Sequence, residues 1–287
     1  MKVTFQGIHG AYSEVAAREL LGKDIVTIPC ETFREVFDRV ERHKADRGVI
    51  PIENSLAGSI HENYDLLVAH SLHIIAETHI RVEHALICRA GSTLSDLRSV
   101  RSHPQALAQC STFLHAHPRL RPDPFYDTAG AARSIAHEQR PDVGAIAAVH
   151  AARLYGLKVL KRNLENSTSN YTRFLVLARK PWKHVRGTKT RTSITFTPLT
   201  NRPGILFHIL ALFALREIDL LKIESRPDPR TPFAYLFYAD IAGGPHEERV
   251  QRAFEHLREV VSDFRLLGTY RAGAPRFWPR RHYRDHS

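Results

Sequence analysis

Over the first 180 residues, apolar and polar positions alternate between two periods. Residues 3–5, 25–28 and 48–52 are short apolar runs of strand length. Residues 13–21 between them are alanine-rich and helical in pattern, with Ser13 placed to cap the helix. Thr32-Phe33-Arg34-Glu35 reads as a capping box opening a helix to about His43. The pattern continues with a helix at 60–69, a β-rich stretch at 72–88 and a helix at 104–114 that begins on a proline. A helix at 128–137, a strand at 142–147, a short helix at 149–155 and a strand at 171–178 complete it. Strands alternating with helices predict an α/β fold with mostly parallel sheets.

The pattern breaks at 179–189, a basic stretch containing Pro181 and Gly187, and the domain boundary is set there. Beyond it, strands are expected at 192–196, 219–225, 233–240 and 264–268, with helices at 203–216 and 246–260. This βαββαβ order predicts a ferredoxin-like domain over about 190–270. Residues 271–287 form a basic tail without periodicity.

Composition narrows the class. With 43% apolar and 25% charged residues, the chain can bury a sizeable core. No apolar run reaches membrane-spanning length; the nearest, 205–215, is short and contains His208. The first residues go straight into a strand pattern without a charged-then-apolar leader, so a cytoplasmic protein is expected. Cys30, Cys88 and Cys110 are odd in number and lack CxxC spacing, which argues against a disulfide framework or zinc site. The histidines show no metal-ligand spacing, and no metal is expected. The formal charge of +11 is spread along the chain except in the tail, whereas a nucleic-acid footprint clusters on one face.

Five motifs sharpen this picture. They are Phe5-Gln6-Gly7-Ile8-His9-Gly10-Ala11-Tyr12-Ser13-Glu14, Pro51-Ile52-Glu53-Asn54-Ser55-Leu56-Ala57-Gly58-Ser59-Ile60, Ser102-His103-Pro104-Gln105-Ala106-Leu107-Ala108-Gln109-Cys110, Asn170-Tyr171-Thr172-Arg173-Phe174 and Ile223-Glu224-Ser225-Arg226-Pro227. In this order and spacing they make the chain resemble the prephenate dehydratase family, end to end except for the tail. The resemblance implies a two-lobed catalytic domain over 1–180, similar to periplasmic solute-binding proteins. Its lobes would be about 1–80 with 160–180, and 80–160. An ACT-type regulatory domain would follow, and a homodimer or homotetramer is implied.

The implied reaction takes prephenate to phenylpyruvate, water and carbon dioxide in L-phenylalanine biosynthesis, without a cofactor. Its electrons come from the breaking bond to the carboxylate, so no C–H proton is abstracted. The site must hold a dianion and donate to the leaving hydroxyl. By the resemblance, Thr172 is the catalytic donor, and Asn54, Ser55, Ser59, Ser102, Gln105, Arg173 and Phe174 bind substrate. Asn54, Ser55 and Ser59 follow a strand end, where small polar residues serve anion binding and helix capping alike. Arg173 suits a carboxylate by its planar fork. A regular strand, however, points Thr172 and Arg173 to opposite faces, which leaves a surface ion pair as the other reading. Phe174 is either a pocket wall or core, and His103 is read as structural. Arogenate, with an ammonium where prephenate has a ketone, is the alternative substrate. A non-catalytic binding protein is the alternative class.

The effector site implied by the same resemblance is built from Asn201, Pro203, Gly204, Ile205, Leu206, Glu224, Ser225, Arg226 and Pro227, with L-phenylalanine as effector. Where the family usually carries Ala after the glycine this chain has Ile205, which adds bulk beside the ligand.

Overall fold

In the computed structural model, which describes residues 1–138, 140–228 and 234–273, contacts divide the chain into two compact units. One comprises residues 1–61 and 78–174; the other comprises 62–77 and the chain from 175. The chain begins β1 (Lys2–Gln6), α1 (Tyr12–Leu21), β2 (Val26–Cys30), α2 (Phe33–Glu41), β3 (Arg47–Asn54), β4 (Gly58–Ser59), α3 (His61–Ala69) and β5 (His73–Arg81). It continues through β6 (Ala85–Cys88), β7 (Ser99–Ser102), α4 (Pro104–Gln109), α5 (Ser111–His115), β8 (Arg121–Pro124), α6 (Thr128–Glu138), β9 (Val143–Ala147), α7 (Val149–Leu154) and β10 (Lys158–Lys161). Last come β11 (Tyr171–Ala178), β12 (Thr190–Pro198), α8 (Ile205–Ala214), β13 (Leu220–Pro227), β14 (Tyr235–Ala242), α9 (Glu248–Val260) and β15 (Val261–Arg271). Phe233, expected to open a strand, and tail residues 274–287 lie outside the described residues.

The first sheet has the order β2-β1-β3-β11-β5, with β4 added to β3. β1 runs parallel to β2 and β3, pairing Val3 with Thr27 and Arg47. The apolar run of β3 is buried from Gly48 to Ile52 without alternation, as a strand covered on both faces requires. α2 starts as read: Thr32 Oγ1 accepts from the Glu35 amide, and Val36, Phe37 and Val40 are buried. The first helix differs. Its N-cap is Ala11, whose side chain makes no cap hydrogen bond, and Ser13 lies inside the helix, buried. Glu14 in the first turn reaches back to the loop before the helix, accepting from the Gly10 N–H at 2.8 Å.

The second sheet has the order β10-β6-β9-β7-β8. β7 is parallel to β8 and β9, whereas β6 is antiparallel to β9 and β10, so the sheet is mixed. β7, β8 and β10 escape a reading of the sequence because Ser-Val-Arg-Ser, Arg-Pro-Asp-Pro and Lys-Val-Leu-Lys are too short and polar to show a period. The helix expected over 104–114 is broken at Cys110, which leaves helical geometry with its side chain fully buried among Leu107, Val100 and Phe113.

The second unit contains the antiparallel sheet β13-β14-β12-β15. Ile194 and Phe196 of β12 share a core with Ile209 and Phe213 of α8 and Val250, Ala253 and Leu257 of α9. The βαββαβ expectation holds, and this domain is ferredoxin-like. Residues 62–77 belong to the same unit. Tyr238 Oη donates to the Tyr64 carbonyl at 2.6 Å, Arg226 pairs with Asp65 at 2.7 Å, and Arg191 pairs with buried Glu77 at 2.9 Å. Arg265 donates to the carbonyls of Val68 and His70. The division by contacts therefore falls inside β5 and β11, whereas the sequence boundary was set at 179–189. Among the described residues, no helix is long and apolar enough to cross a membrane.

Two buried positions test this framework. Glu14 is 2% exposed; burial alone would push its carboxyl up, but donors from Gly10 N, Thr27, Arg18 and His9 hold it at about 2. A carboxyl depressed in the folded state stabilises above its ordinary pKa and loses that contribution as pH falls through the folded value. Glu14→Gln is therefore expected to cost about 2–3 kcal/mol at pH 7, a difference from wild type that shrinks between about pH 4.5 and 2 in denaturant titrations. Gly268 leaves no room for a side chain, since a Cβ would fall onto the Ile74 carbonyl. Gly268→Ala is expected to lower stability by about 3 kcal/mol, read as a drop in Tm.

Candidate active site

A cleft of ≈ 350 Å³ in the first unit is lined by Thr172, Asn54, Gln105, Gln109, His84 and Tyr12, and also by Gln6, His103, Tyr126, Asp127 and Thr128. Of the residues singled out from sequence, Thr172, Asn54 and Gln105 meet there. The end of β3 delivers Asn54 and the start of β11 delivers Thr172. Asn54 Oδ1 accepts from the backbone N–H groups of Leu56 and Ala57, at 3.0 and 2.9 Å. Its Nδ2 donates to Asn170 Oδ1 at 2.8 Å, to Thr172 Oγ1 at 3.0 Å and to the Tyr171 carbonyl at 3.2 Å. An acceptor position of the Thr172 hydroxyl is thus filled by an amide donor, and its own proton remains to donate into the cleft.

The remaining residues assigned to substrate sit elsewhere. Ser102 is fully buried and its hydroxyl donates to the Ile146 carbonyl at 2.6 Å. Ser55 joins two strands, donating to the Ser169 carbonyl and accepting from the Tyr171 N–H. Ser59 lies in β4, opposite Glu53. Phe174 is core. Arg173 is 6% exposed, and so is not a surface residue, and lies outside the cleft lining. Thr172 lines the cleft, and regular strand alternation points the next side chain to the opposite face. Among the described residues lining the cleft there is no Lys or Arg.

Sequence reasoning passed over Tyr12, His84, Gln109 and Asn170. Tyr12, Gln109 and Asn170 stood in quoted motifs, but nothing in those strings marked them as site residues. Tyr12 Oη donates to the Glu83 carbonyl at 2.5 Å; burial and then the Glu165 carboxylate push its phenol up, so it stays protonated. Glu165 accepts from the His84 N–H and pairs with Arg81 at 3.2 Å. Burial, then Glu165, push the Cys110 thiol up to about 12, which makes it unreactive.

A second cavity, of ≈ 590 Å³, lies in the ferredoxin-like domain. Asn201, Ile205 and Leu206 line it, together with Phe237, Asp228 and Asp263. Gly204 caps α8 with φ 83°, a left-handed conformation that favours glycine; with Pro203 it precedes the helix, which starts at Ile205. Glu224, Ser225, Arg226 and Pro227 lie on β13, outside this lining. Arg226 is engaged by Asp65, and Glu224 by Lys222 at 3.6 Å.

Known proteins agree with this architecture. The prephenate dehydratase family model matches residues 3–182. The chain is 45% identical over 279 residues to arogenate dehydratase/prephenate dehydratase 2, chloroplastic, of Arabidopsis thaliana, covering 94% of this chain and 72% of that one. Prephenate dehydratase of Arthrobacter aurescens in complex with L-Phe superposes with a TM-score of 0.88 at 30% identity, over 95% of this chain and 90% of that one. GqqA, described as a novel type of quorum quenching acylase, also gives a TM-score of 0.88, at 34% identity over 95% of this chain and 98% of its own. The chain belongs to the prephenate dehydratase family, dehydratases acting in phenylalanine biosynthesis. The cytoplasmic expectation is corrected by the chloroplastic relatives: a strand-like first segment carries no information about compartment.

The amide network yields its own test. Asn170→Asp would set a carboxylate oxygen against Gln109 Oε1, where Asn170 Nδ2 now donates at 3.0 Å. The expected cost is about 2–4 kcal/mol at pH 7. Such a buried carboxyl has a raised pKa, so stability should return as pH falls below the folded value, read by thermal melts across pH 4–8.

Proposed function

We propose that the chain is a prephenate dehydratase, releasing water and carbon dioxide from prephenate to leave phenylpyruvate. The observation that carries this is the Thr172 hydroxyl, held as an acceptor by Asn54 and so presented to the cleft as a donor. It stabilises charge developing on the departing oxygen, and the fixed amides around it need no rearrangement as the charge forms. Gln105, Gln6 and the Nε2 amide of Gln109 are neutral donors available to the carboxylates. No step requires a cofactor. The catalytic domain is read as two lobes, one on each α/β sheet. Arogenate is the second reading, supported by relatives whose names carry both activities. An acylase reading has weaker support: the Thr172 oxygen meets an amide donor, not a histidine that would take its proton.

The second domain is read as an ACT domain that senses L-phenylalanine. Ile205, Leu206 and Phe237 offer an apolar wall, Asp228 and Asp263 suit an ammonium group, and the Arthrobacter relative carries L-Phe. A homodimer or homotetramer is supported by α8. Phe207 and Leu215, 72% and 83% exposed, stand four residues either side of Ala211, so an antiparallel copy would set each phenylalanine on a leucine.

Turnover of prephenate and arogenate with and without L-phenylalanine tests the whole reading. Phenylpyruvate formation, lowered by L-phenylalanine, is expected. Thr172→Val should lose about 100-fold or more in kcat, with Tm lowered only by the loss of the Asn54 hydrogen bond, a cost of about 1–2 kcal/mol. Activity on arogenate alone would move the protein to the second reading, and a folded wild type inactive on both would overturn the enzyme reading.

A further inference from the structure

We propose that His84 is a positioning residue that sets the direction of the Thr172 hydroxyl through three side-chain amides, an inference that rests on the dehydratase reading. The links run across the first unit. His84 Nε2 meets Gln109 Oε1 at 2.9 Å, Asn170 Nδ2 donates to the same oxygen at 3.0 Å, Asn170 Oδ1 accepts from Asn54 Nδ2, and Asn54 Nδ2 donates to Thr172 Oγ1.

The direction of this chain follows from one end. Asn54 Oδ1 accepts from two backbone N–H groups, which only an oxygen can do, so its Nδ2 must face Asn170 and Thr172. Asn170 must then turn its oxygen to Asn54 and its nitrogen to Gln109. Gln109 must turn its oxygen to Asn170, and the same oxygen meets His84. Nε2 of His84 therefore carries the proton and Nδ1 a lone pair. Nδ1 is buried and has no hydrogen-bond partner, as an unprotonated nitrogen kept from water would be.

With the other tautomer, two lone pairs would face each other across the His84–Gln109 contact. A rotated Gln109 would oppose its NH₂ to that of Asn170, and the conflict would travel along the chain until it met the fixed Asn54. Releasing Asn54 Nδ2 frees the Thr172 oxygen to turn its proton away from the substrate. His84 is itself held in place, being 2% exposed and donating its backbone N–H to Glu165 at 3.0 Å. Burial lowers its pKa, and protonation would in any case leave the Nε2–H donor in place.

The test compares His84→Gln, whose side-chain amide can place an N–H near the Nε2 position, with His84→Leu, which cannot donate. kcat, KM and Tm are measured for both, and the imidazole tautomer is read by ¹⁵N NMR of the unmodified protein. His84→Leu is expected to lose about tenfold in kcat with KM changed less than about twofold, and His84→Gln to stay within about threefold of wild type. An Nε2–H tautomer is expected. Equal kcat losses in both variants, an unchanged kcat in His84→Leu, or an Nδ1–H tautomer would each overturn the proposal. Should His84→Leu fail to fold, the tautomer and His84→Gln still decide. A wild type inactive on both substrates would instead count against the dehydratase reading, which the tautomer measurement does not need.

Discussion

The Asn54 carboxamide is the constraint on which the cleft depends. One side of it is locked by the turn that follows β3, through the N–H groups of Leu56 and Ala57. The other side reaches the residues that open β11. Ser55 reinforces the junction: its N–H donates to the Tyr171 carbonyl at 2.8 Å and its hydroxyl accepts from the Tyr171 N–H. That is why Ser55, though beside the cleft in sequence, is engaged in holding backbone. A turn fixed in this way sets an amide donor against the Thr172 oxygen, which excludes the hydroxyl rotor that would point its proton at Asn54. An aspartate could accept from the turn equally well but could not donate to Asn170 and Thr172, so the site needs an amide with two different ends.

A cleft without a cation in its lining looks ill-suited to a doubly negative substrate such as the prephenate proposed above, yet neutral donors have an advantage for a dehydration. Guanidinium groups would stabilise the substrate's carboxylates before and during reaction alike, whereas a dehydration gains from contacts that strengthen as charge reaches the leaving oxygen. The buried groups around the cleft are kept in single protonation states. Tyr12 and Cys110 are held protonated by burial and by Glu165, and Glu165 itself faces Arg81 and the His84 N–H. The net charge of +11 acts at longer range, drawing anions towards the protein without entering the contact chemistry.

What could be read from sequence follows the range of the interactions involved. Apolar runs show through because burial writes itself into consecutive residues: β3 and β9 are buried along their apolar runs, and the βαββαβ order was visible in its periods. Polar strands such as β7 and β8 carry no such mark, and the break at Cys110 depends on a core that only the fold assembles. At the site, Thr172, Asn54 and Gln105 were legible as motif members. Arg173, expected beside Thr172 because the two are neighbours in the motif, is not in the cleft lining; a strand sends neighbours to opposite faces. His84 stood outside every motif, and Asn170, though a motif member, gave no sign of its contacts, since Asn170 meets Asn54 across 116 positions and His84 meets Gln109 across 25. No periodicity reports a hydrogen bond at that separation.

β11 belongs to both units. Thr172 lies three residues before Leu175, where contacts assign the strand to the second unit, and β5 changes unit between Glu77 and Thr78. The strand bearing Thr172 therefore continues without interruption into the unit that contains the ferredoxin-like domain. An extended strand transmits displacement along its axis at about 3.3 Å per residue with little slack. The demand on Thr172 is angular, a hydroxyl proton aimed within hydrogen-bond tolerance, and small changes in strand twist alter that aim more than they alter packing. A change in how residues 175–178 are held would reach Thr172 along the covalent strand. The amide chain to His84 opposes such a change, because turning Thr172 means breaking bonds whose polarity is fixed at the Asn54 turn. The site thus combines a stiff local orientation with a strand that leads out of it.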